Sequence, residues 1–233
     1  MKLQRTLTAL LLIACAAAPR GNKPNRYGLE VIGDFGAYDR LVALDPDKRL
    51  IDVQSVEPAI RIDVRYATPD NFLHTTLYPV AKVFVRWPVA IALRDVQREL
   101  ASRNLGLKIF DGYRPYRVTE RMWEPIRNPD FVADPAKGSR HNRGAAVDLT
   151  LVDLTTGREL AMPTPFDDFT SRARQDFNDL SPEVIANRAT LRDVMTRHGF
   201  EPLPSEWWHY DYHGWELYEL MDLDLAKLAR LSS

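Results

Sequence analysis

The stretch from Gly138 to Leu151, reading Gly-Ser-Arg-His-Asn-Arg-Gly-Ala-Ala-Val-Asp-Leu-Thr-Leu, constrains the fold of this chain more than any other. The small residues between His141 and Asp148 let the backbone turn. Val147 to Leu151 then read as a buried strand. The chain must therefore hold a polar loop bearing His141 against the entry of an apolar strand bearing Asp148. A second cluster, Glu206-Trp207-Trp208-His209, lies near the C-terminus. Two imidazoles and a carboxylate, from His141, Asp148 and His209, make the kind of three-ligand set that holds a catalytic zinc with a fourth position open. Calcium and magnesium favour all-oxygen sites. Glu206 sits beside the last of the three, where a general base is wanted.

The 233 residues, 45% hydrophobic and 27% charged, suffice for one domain of about 200 residues. Thirty-one basic residues against thirty-two acidic ones leave a net charge of -1 and no electrostatic reason for a nucleic-acid or anionic partner. A small or neutral substrate is expected. Sixteen prolines, with five Trp, nine Tyr and nine Phe, point to a turn-rich α+β domain.

At the N-terminus, Lys2 and Arg5 precede an apolar run from Leu7 to Ala18 that is too short to span a bilayer and suits an export signal. The single cysteine, Cys15, ends Leu12-Ile13-Ala14-Cys15, which resembles the lipobox of bacterial lipoproteins, whose cysteine is lipidated and becomes the new N-terminus. The plainer alternative is an ordinary signal cleaved after Ala18. Residues 1–18 are thus expected as signal, Pro19 to Arg26 as a tether, and 27–233 as the domain. Export to the periplasm follows, with membrane contact only through that lipid; oligomeric state is not legible.

Along the domain, Leu50 to Val53 and Ile60 to Tyr66 read as short strands, the second alternating. Pro88 opens a helix whose Val89, Leu93, Val96 and Leu100 repeat at helical spacing until Asn104 and Gly106. Leu107 to Asp111 reads as a buried strand feeding the turn Gly112-Tyr113-Arg114-Pro115, so Arg114 stands at a rigid strand end. Tyr116 to Ile126 is a short helix, and Leu154 to Leu160 a hairpin turn. Ser181 caps a helix opening at Pro182 and running to His198, a last-turn cation rather than a ligand. Trp208 to Tyr212 is an aromatic strand and Trp215 to Leu231 a terminal helix.

Residue chemistry alone leaves a zinc hydrolase and a set of unrelated polar residues both open, since Asp148 could equally cap a strand end and the His-Glu-x-x-His helix of common zinc peptidases is absent. The order of motifs goes further. Tyr66-Ala67-Thr68, Asp111-Gly112-Tyr113-Arg114-Pro115, Ser139-x-His141 followed by Asp148, Phe166-Asp167 and Glu206-x-x-His209 together resemble the zinc D-alanyl-D-alanine dipeptidases of the vancomycin-resistance type, in the superfamily of DD-carboxypeptidases and the hedgehog signalling domain. The resemblance runs from about Tyr66 to Tyr212. It implies a single α+β domain around a mainly antiparallel sheet flanked by helices, one zinc ion on His141, Asp148 and His209, and Glu206 as catalytic base. It further implies that Arg114 steadies the developing oxyanion, that Tyr66, Ser139 and Asp167 line a pocket for D-Ala-D-Ala, and that Asp167 meets the substrate ammonium. Asp168 leaves that last assignment open by one residue, and Pro163, where relatives often carry glycine, stiffens the loop before it. Two other readings stand beside this one. A DD-carboxypeptidase of the same superfamily would have no use for an acid facing a substrate amine, and a non-catalytic, zinc-stabilised cell-wall binding lipoprotein would need neither Glu206 nor Arg114.

Overall fold

The structure is a computed structural model and describes residues 24–129 and 131–232; the expected signal and Cys15 lie outside them. In chain order the elements are β1 (Val31–Ile32), α1 (Phe35–Leu44), β2 (Leu50–Asp52), α2 (Val53–Val56), β3 (Arg61–Ile62), β4 (Phe84–Arg86), α3 (Trp87–Ala101), β5 (Leu105–Asp111) and α4 (Tyr116–Ile126). They continue with β6 (Ala146–Asp153), α5 (Pro182–Arg197), β7 (Phe200–Pro202), β8 (His209–Tyr212), β9 (Leu220–Met221) and α6 (Leu225–Leu231). None of the described helices is long and apolar enough to cross a membrane.

A five-stranded sheet in the order β3-β5-β6-β8-β7 forms the centre. Every neighbouring pair is antiparallel except β3 with β5, which makes the sheet mainly antiparallel as expected. Alternation along β6 explains its place in the middle: Val147, Leu149 and Leu151 are fully buried, while Asp148 and Thr150 face the other side. Against the sheet packs α3, with Val89, Leu93, Val96 and Leu100 buried at helical spacing. Gln97, on the same helix, accepts the Leu107 N–H at 2.7 Å, so even the polar residue at that interface is satisfied. From α5, Leu191, Val194 and Met195 join the core, and truncating a residue such as Leu93 to Ala would cost about 2–5 kcal/mol.

Three expected elements differ. The run to Tyr66 is strand only at Arg61–Ile62 and then tightens into a 3-10 turn at Arg65–Ala67, which sends Tyr66 inward. Val53 leaves the strand to begin α2, because Asp52 caps that helix through the Gln54 N–H. Trp215 to Leu231 is not one helix: a 3-10 turn (Trp215–Leu217) is followed by β9, and only α6 is helical, capped by Asp224 on the Lys227 N–H at 2.7 Å. The apolar pair Leu220–Met221 is claimed instead by β1, in parallel pairing. That partner lies far away in sequence, so local periodicity could not announce it.

Candidate active site

The register of the central sheet builds the site. Asp111 on β5 lies opposite Asp148 on β6, and Asp148 lies opposite His209 on β8, so three polar residues form one row across three strands. An irregularity between Ile109 and Asp111 shifts the register just before that row, a device that re-aims a side chain at a strand end. After β5 the chain passes beneath β4 so closely that a side chain at Gly112 would put its Cβ 2.8 Å from the Phe84 carbonyl oxygen; glycine is required there by space. The Gly112 carbonyl is thereby free to accept from His141 Nδ1 at 2.8 Å.

His141 opens a 3-10 turn (His141–Arg143) that ends at Gly144 with φ +69°, where the left-handed backbone favours glycine. Ser139 Oγ accepts the His141 N–H at 3.2 Å where the chain enters that turn. Asn142 ties the loop to the Arg114 turn, donating to the Arg114 carbonyl at 2.9 Å and to Thr119 Oγ1 at 2.8 Å. With Nδ1 of His141 engaged, its Nε2 points inward, 3.1 Å from His209 Nδ1 and 3.4 Å from Asp148 Oδ1. His209 Nδ1 lies 3.0 Å from the same Asp148 oxygen, and its Nε2 is held by Asp211 Oδ1 at 2.8 Å. Each imidazole is thus fixed at its outer nitrogen and presents its inner one to a common point, all three donor atoms lying within 4.8 Å of one another. Two nitrogens and a carboxylate oxygen converging in this way fit a zinc ion, and the partners behind them set ring orientation.

Arg114 comes from the turn after β5. It donates to Asp111 Oδ2 through Nε at 2.9 Å and lies 2.8 Å from it through Nη2, with Asp148 Oδ2 at 3.6 Å. Asp111 also accepts from the Tyr78 hydroxyl at 2.8 Å, so this buried carboxylate is fully used. Tyr66 stands over the Arg114 guanidinium at 5.3 Å and donates to Asp167, 3.1 Å from both carboxylate oxygens. Asp167 adopts φ +61°, a left-handed conformation that aspartate tolerates better than most residues. Phe166 anchors that strained corner by stacking on Phe110, with ring centres 4.6 Å apart. Asp168 turns the other way and accepts the Thr170 N–H, so the acid that reaches Tyr66 is Asp167.

All eight expected pocket residues, Tyr66, Arg114, Ser139, His141, Asp148, Asp167, Glu206 and His209, line one pocket. Phe72, Phe131, Phe169 and Trp208 supply much of its apolar wall. His198, as expected, is elsewhere, 2.9 Å from Glu99 at the end of α5. Asp111, Asn142 and Asp211 were not singled out from the sequence. Asp211 was within reach of strand periodicity, since it lies two residues from His209 and so on the same face.

Electrostatics separate the acids. Burial works against the charge on Asp148, yet His141 and His209 hold its carboxyl well below the usual range. Burial likewise lowers His209, but the Asp211 and Asp148 carboxylates outweigh it and lift the imidazole to about 10 in the absence of metal. Glu206 is pushed up to about 7 by burial, with His209 and Arg114 drawing it down and Asp148 pushing it further up. Asp167 lies well above the usual carboxylate range through burial and the Asp148 charge. Three acids crowded into one pocket are a place for cations.

A family profile described as D-ala-D-ala dipeptidase matches residues 47–224, a span that holds every pocket residue above. The D-alanyl-D-alanine dipeptidase of Escherichia coli (strain K12) is 33% identical over 162 residues, covering 70% of this chain and 83% of that protein. That of Enterococcus faecium is 34% identical over 173 residues, covering 65% and 85%. A Streptomyces coelicolor D-alanyl-D-alanine dipeptidase is 31% identical over 198 residues, covering 76% and 91%. With the match running from before β4 through the whole central sheet to the end of β9, this chain is a zinc metallopeptidase and belongs to the D-Ala-D-Ala dipeptidase family.

Proposed function

We propose that the protein hydrolyses the free dipeptide D-Ala-D-Ala to two molecules of D-Ala. The observation that carries this reading is the meeting in one pocket of three metal donors, a half-buried Glu206 raised to about 7, and Asp167 held by Tyr66. His141, His209 and Asp148 would hold the zinc through the two inner nitrogens and a carboxylate oxygen. When bound, zinc polarises the scissile carbonyl and lowers the pKa of water from about 15.7 toward 7. Glu206 takes the proton of the attacking water and returns it to the leaving amine, a task for which a carboxylate raised toward neutrality is suited. Arg114, kept charged by Asp111, stands where negative charge develops on the carbonyl oxygen; such a contribution is typically worth about 3 to 4 kcal/mol. Asp167 pairs with the substrate ammonium, and Tyr66 and Ser139 complete the polar lining.

Zinc-loaded protein should therefore turn over D-Ala-D-Ala and be poorer on N-acetyl-D-Ala-D-Ala by about a hundredfold, the loss expected when a buried acid is left without its ammonium. Equal or better hydrolysis of the acetylated peptide would identify a DD-carboxypeptidase instead. Zinc binding with no turnover of either would leave a binding lipoprotein. For location, the basic start, apolar run and Leu12-Ile13-Ala14-Cys15 support export to the periplasm with a lipid on Cys15. Wild type should partition with membranes and Cys15→Ser should not; recovery of a soluble chain beginning at Pro19 would decide for the plain signal.

A further inference from the structure

A second arginine lines the pocket, and the reaction as described does not use it. This is Arg140, beside His141. Arg114 is buried and held by Asp111 through Nε and Nη2, whereas the Arg140 side chain is 44% exposed. Its carboxylate neighbour is Asp211, at 3.5 Å from Nε, longer than a well-made charge-assisted hydrogen bond. The guanidinium lies over the Trp215 ring at 4.6 Å, which holds its plane without occupying its N–H groups. Arg143 shares that ring at 5.4 Å but donates to the Tyr218 carbonyl. Among the described residues that line this pocket, Arg140 is thus an exposed cation without a close charge-assisted hydrogen bond.

A free dipeptide is a zwitterion, and its two ends make opposite demands. Asp167, on the Tyr66 and Arg114 side, suits the ammonium. The acids Asp148, Asp167 and Glu206 offer the carboxylate no positive partner. Arg140 stands by His209 instead, linked through Asp211 to the outer nitrogen of that ring. We propose that Arg140 receives the C-terminal carboxylate of the dipeptide, so that the pocket is polarised end to end and selects substrates with a free carboxylate one residue beyond the scissile bond. This rests on the dipeptidase reading above and adds to it a residue that sets specificity.

The test compares D-Ala-D-Ala with its C-terminal amide on the zinc-loaded enzyme and on Arg140→Gln and Arg140→Lys. Losing a charged hydrogen-bonding partner should raise KM for the acid about tenfold to a hundredfold in Arg140→Gln with kcat within about threefold. Arg140→Lys should recover part of the loss. The amide, already poor with wild type, should be unchanged by either substitution, and zinc content should stay at one per chain. Unchanged KM for the acid would overturn the proposal. So would an equal loss on acid and amide, which would mean that Arg140 acts only through Asp211 on His209. Calorimetric binding of acid and amide in a Glu206→Gln background keeps the question separate from turnover: if wild type does not hydrolyse D-Ala-D-Ala the dipeptidase reading fails, while acid and amide bound alike, with or without Arg140, would sink the Arg140 assignment by itself.

Discussion

The two halves of the pocket are built by different means. On the metal half, Asp111, Asp148 and His209 are neighbours in sheet register, and each inner group is held by an outer one: Gly112 behind His141, Asp211 behind His209. On the substrate half, Phe72, Asp167 and Phe169 come from irregular segments, Asp167 at φ +61° and Phe169 stacked against Phe131 at 5.1 Å. Strands deliver atoms to within tenths of an ångström because every neighbour fixes them. Loops deliver shape, and tolerate change. The metal half should therefore be brittle and the substrate half forgiving.

The largest effect is expected from removing a donor. His141→Ala, Asp148→Ala or His209→Ala should lose most bound zinc and, with it, activity, as metal analysis of the purified variants would show; full zinc occupancy in any of them would remove that residue from the ligand set. Next comes Glu206→Gln, which keeps shape and removes the carboxylate proposed as the base. Turnover should fall by about 10²–10⁴-fold with zinc content and thermal unfolding near wild type. Retained activity would send the search for the base to Asp167 or Asp168.

The pH dependence of zinc binding probes the same half. His209 is held at about 10 without metal, so below that pH the ion must displace a proton. Affinity should rise with pH, by about tenfold per unit between pH 6 and 8, in competition with a chromophoric chelator. The sign for stability is opposite. The imidazolium's pairing with Asp211 and Asp148 stabilises the metal-free fold fully below the unfolded value of about 6.5 and is lost as pH rises toward 10. A pH-independent zinc affinity would show that His209 is neutral in the free protein.

Asp211→Ala, which leaves the ligands untouched, should weaken zinc affinity or activity by about 10–100-fold, with Asp211→Asn in between. Smallest is Phe131→Ala on the loop half. Phe131 is 37% exposed, and its loss should change kcat/KM for D-Ala-D-Ala by less than about threefold. A loss as large as that of Asp211→Ala would erase the distinction between the halves.

Legibility in the sequence followed the same division. The strand carrying Asp148, the helix with Val89, Leu93, Val96 and Leu100, and the turn presenting Arg114 were readable because their patterns are local. The metal set and Glu206 were readable because their chemistry is scarce and their order matches a known family. What escaped depended on distant partners: the parallel pairing of Leu220–Met221 with Val31–Ile32, and the Asp111 carboxylate shared by Tyr78 and Arg114. Asp167 and Asp168 looked equivalent until the backbone of the corner placed only the first beside Tyr66.

The pairing of β1 with β9 has a mechanical side. A pull on the chain before Pro24 would meet the Arg26–Glu120 pair at 2.9 Å and then Val31–Ile32, a strand of two residues. That strand is joined to Leu220–Met221 and, through the Asp222 N–H on the Ile32 carbonyl at 2.8 Å, to the segment whose Asp222 side chain accepts from the Arg117 N–H of α4 at 2.9 Å. Load applied to the chain ahead of β1 would thus be handed to the rim of the molecule. So small a clip can part while the five-stranded sheet stays whole. The metal donors, all on or beside that sheet, would be insulated from such a load.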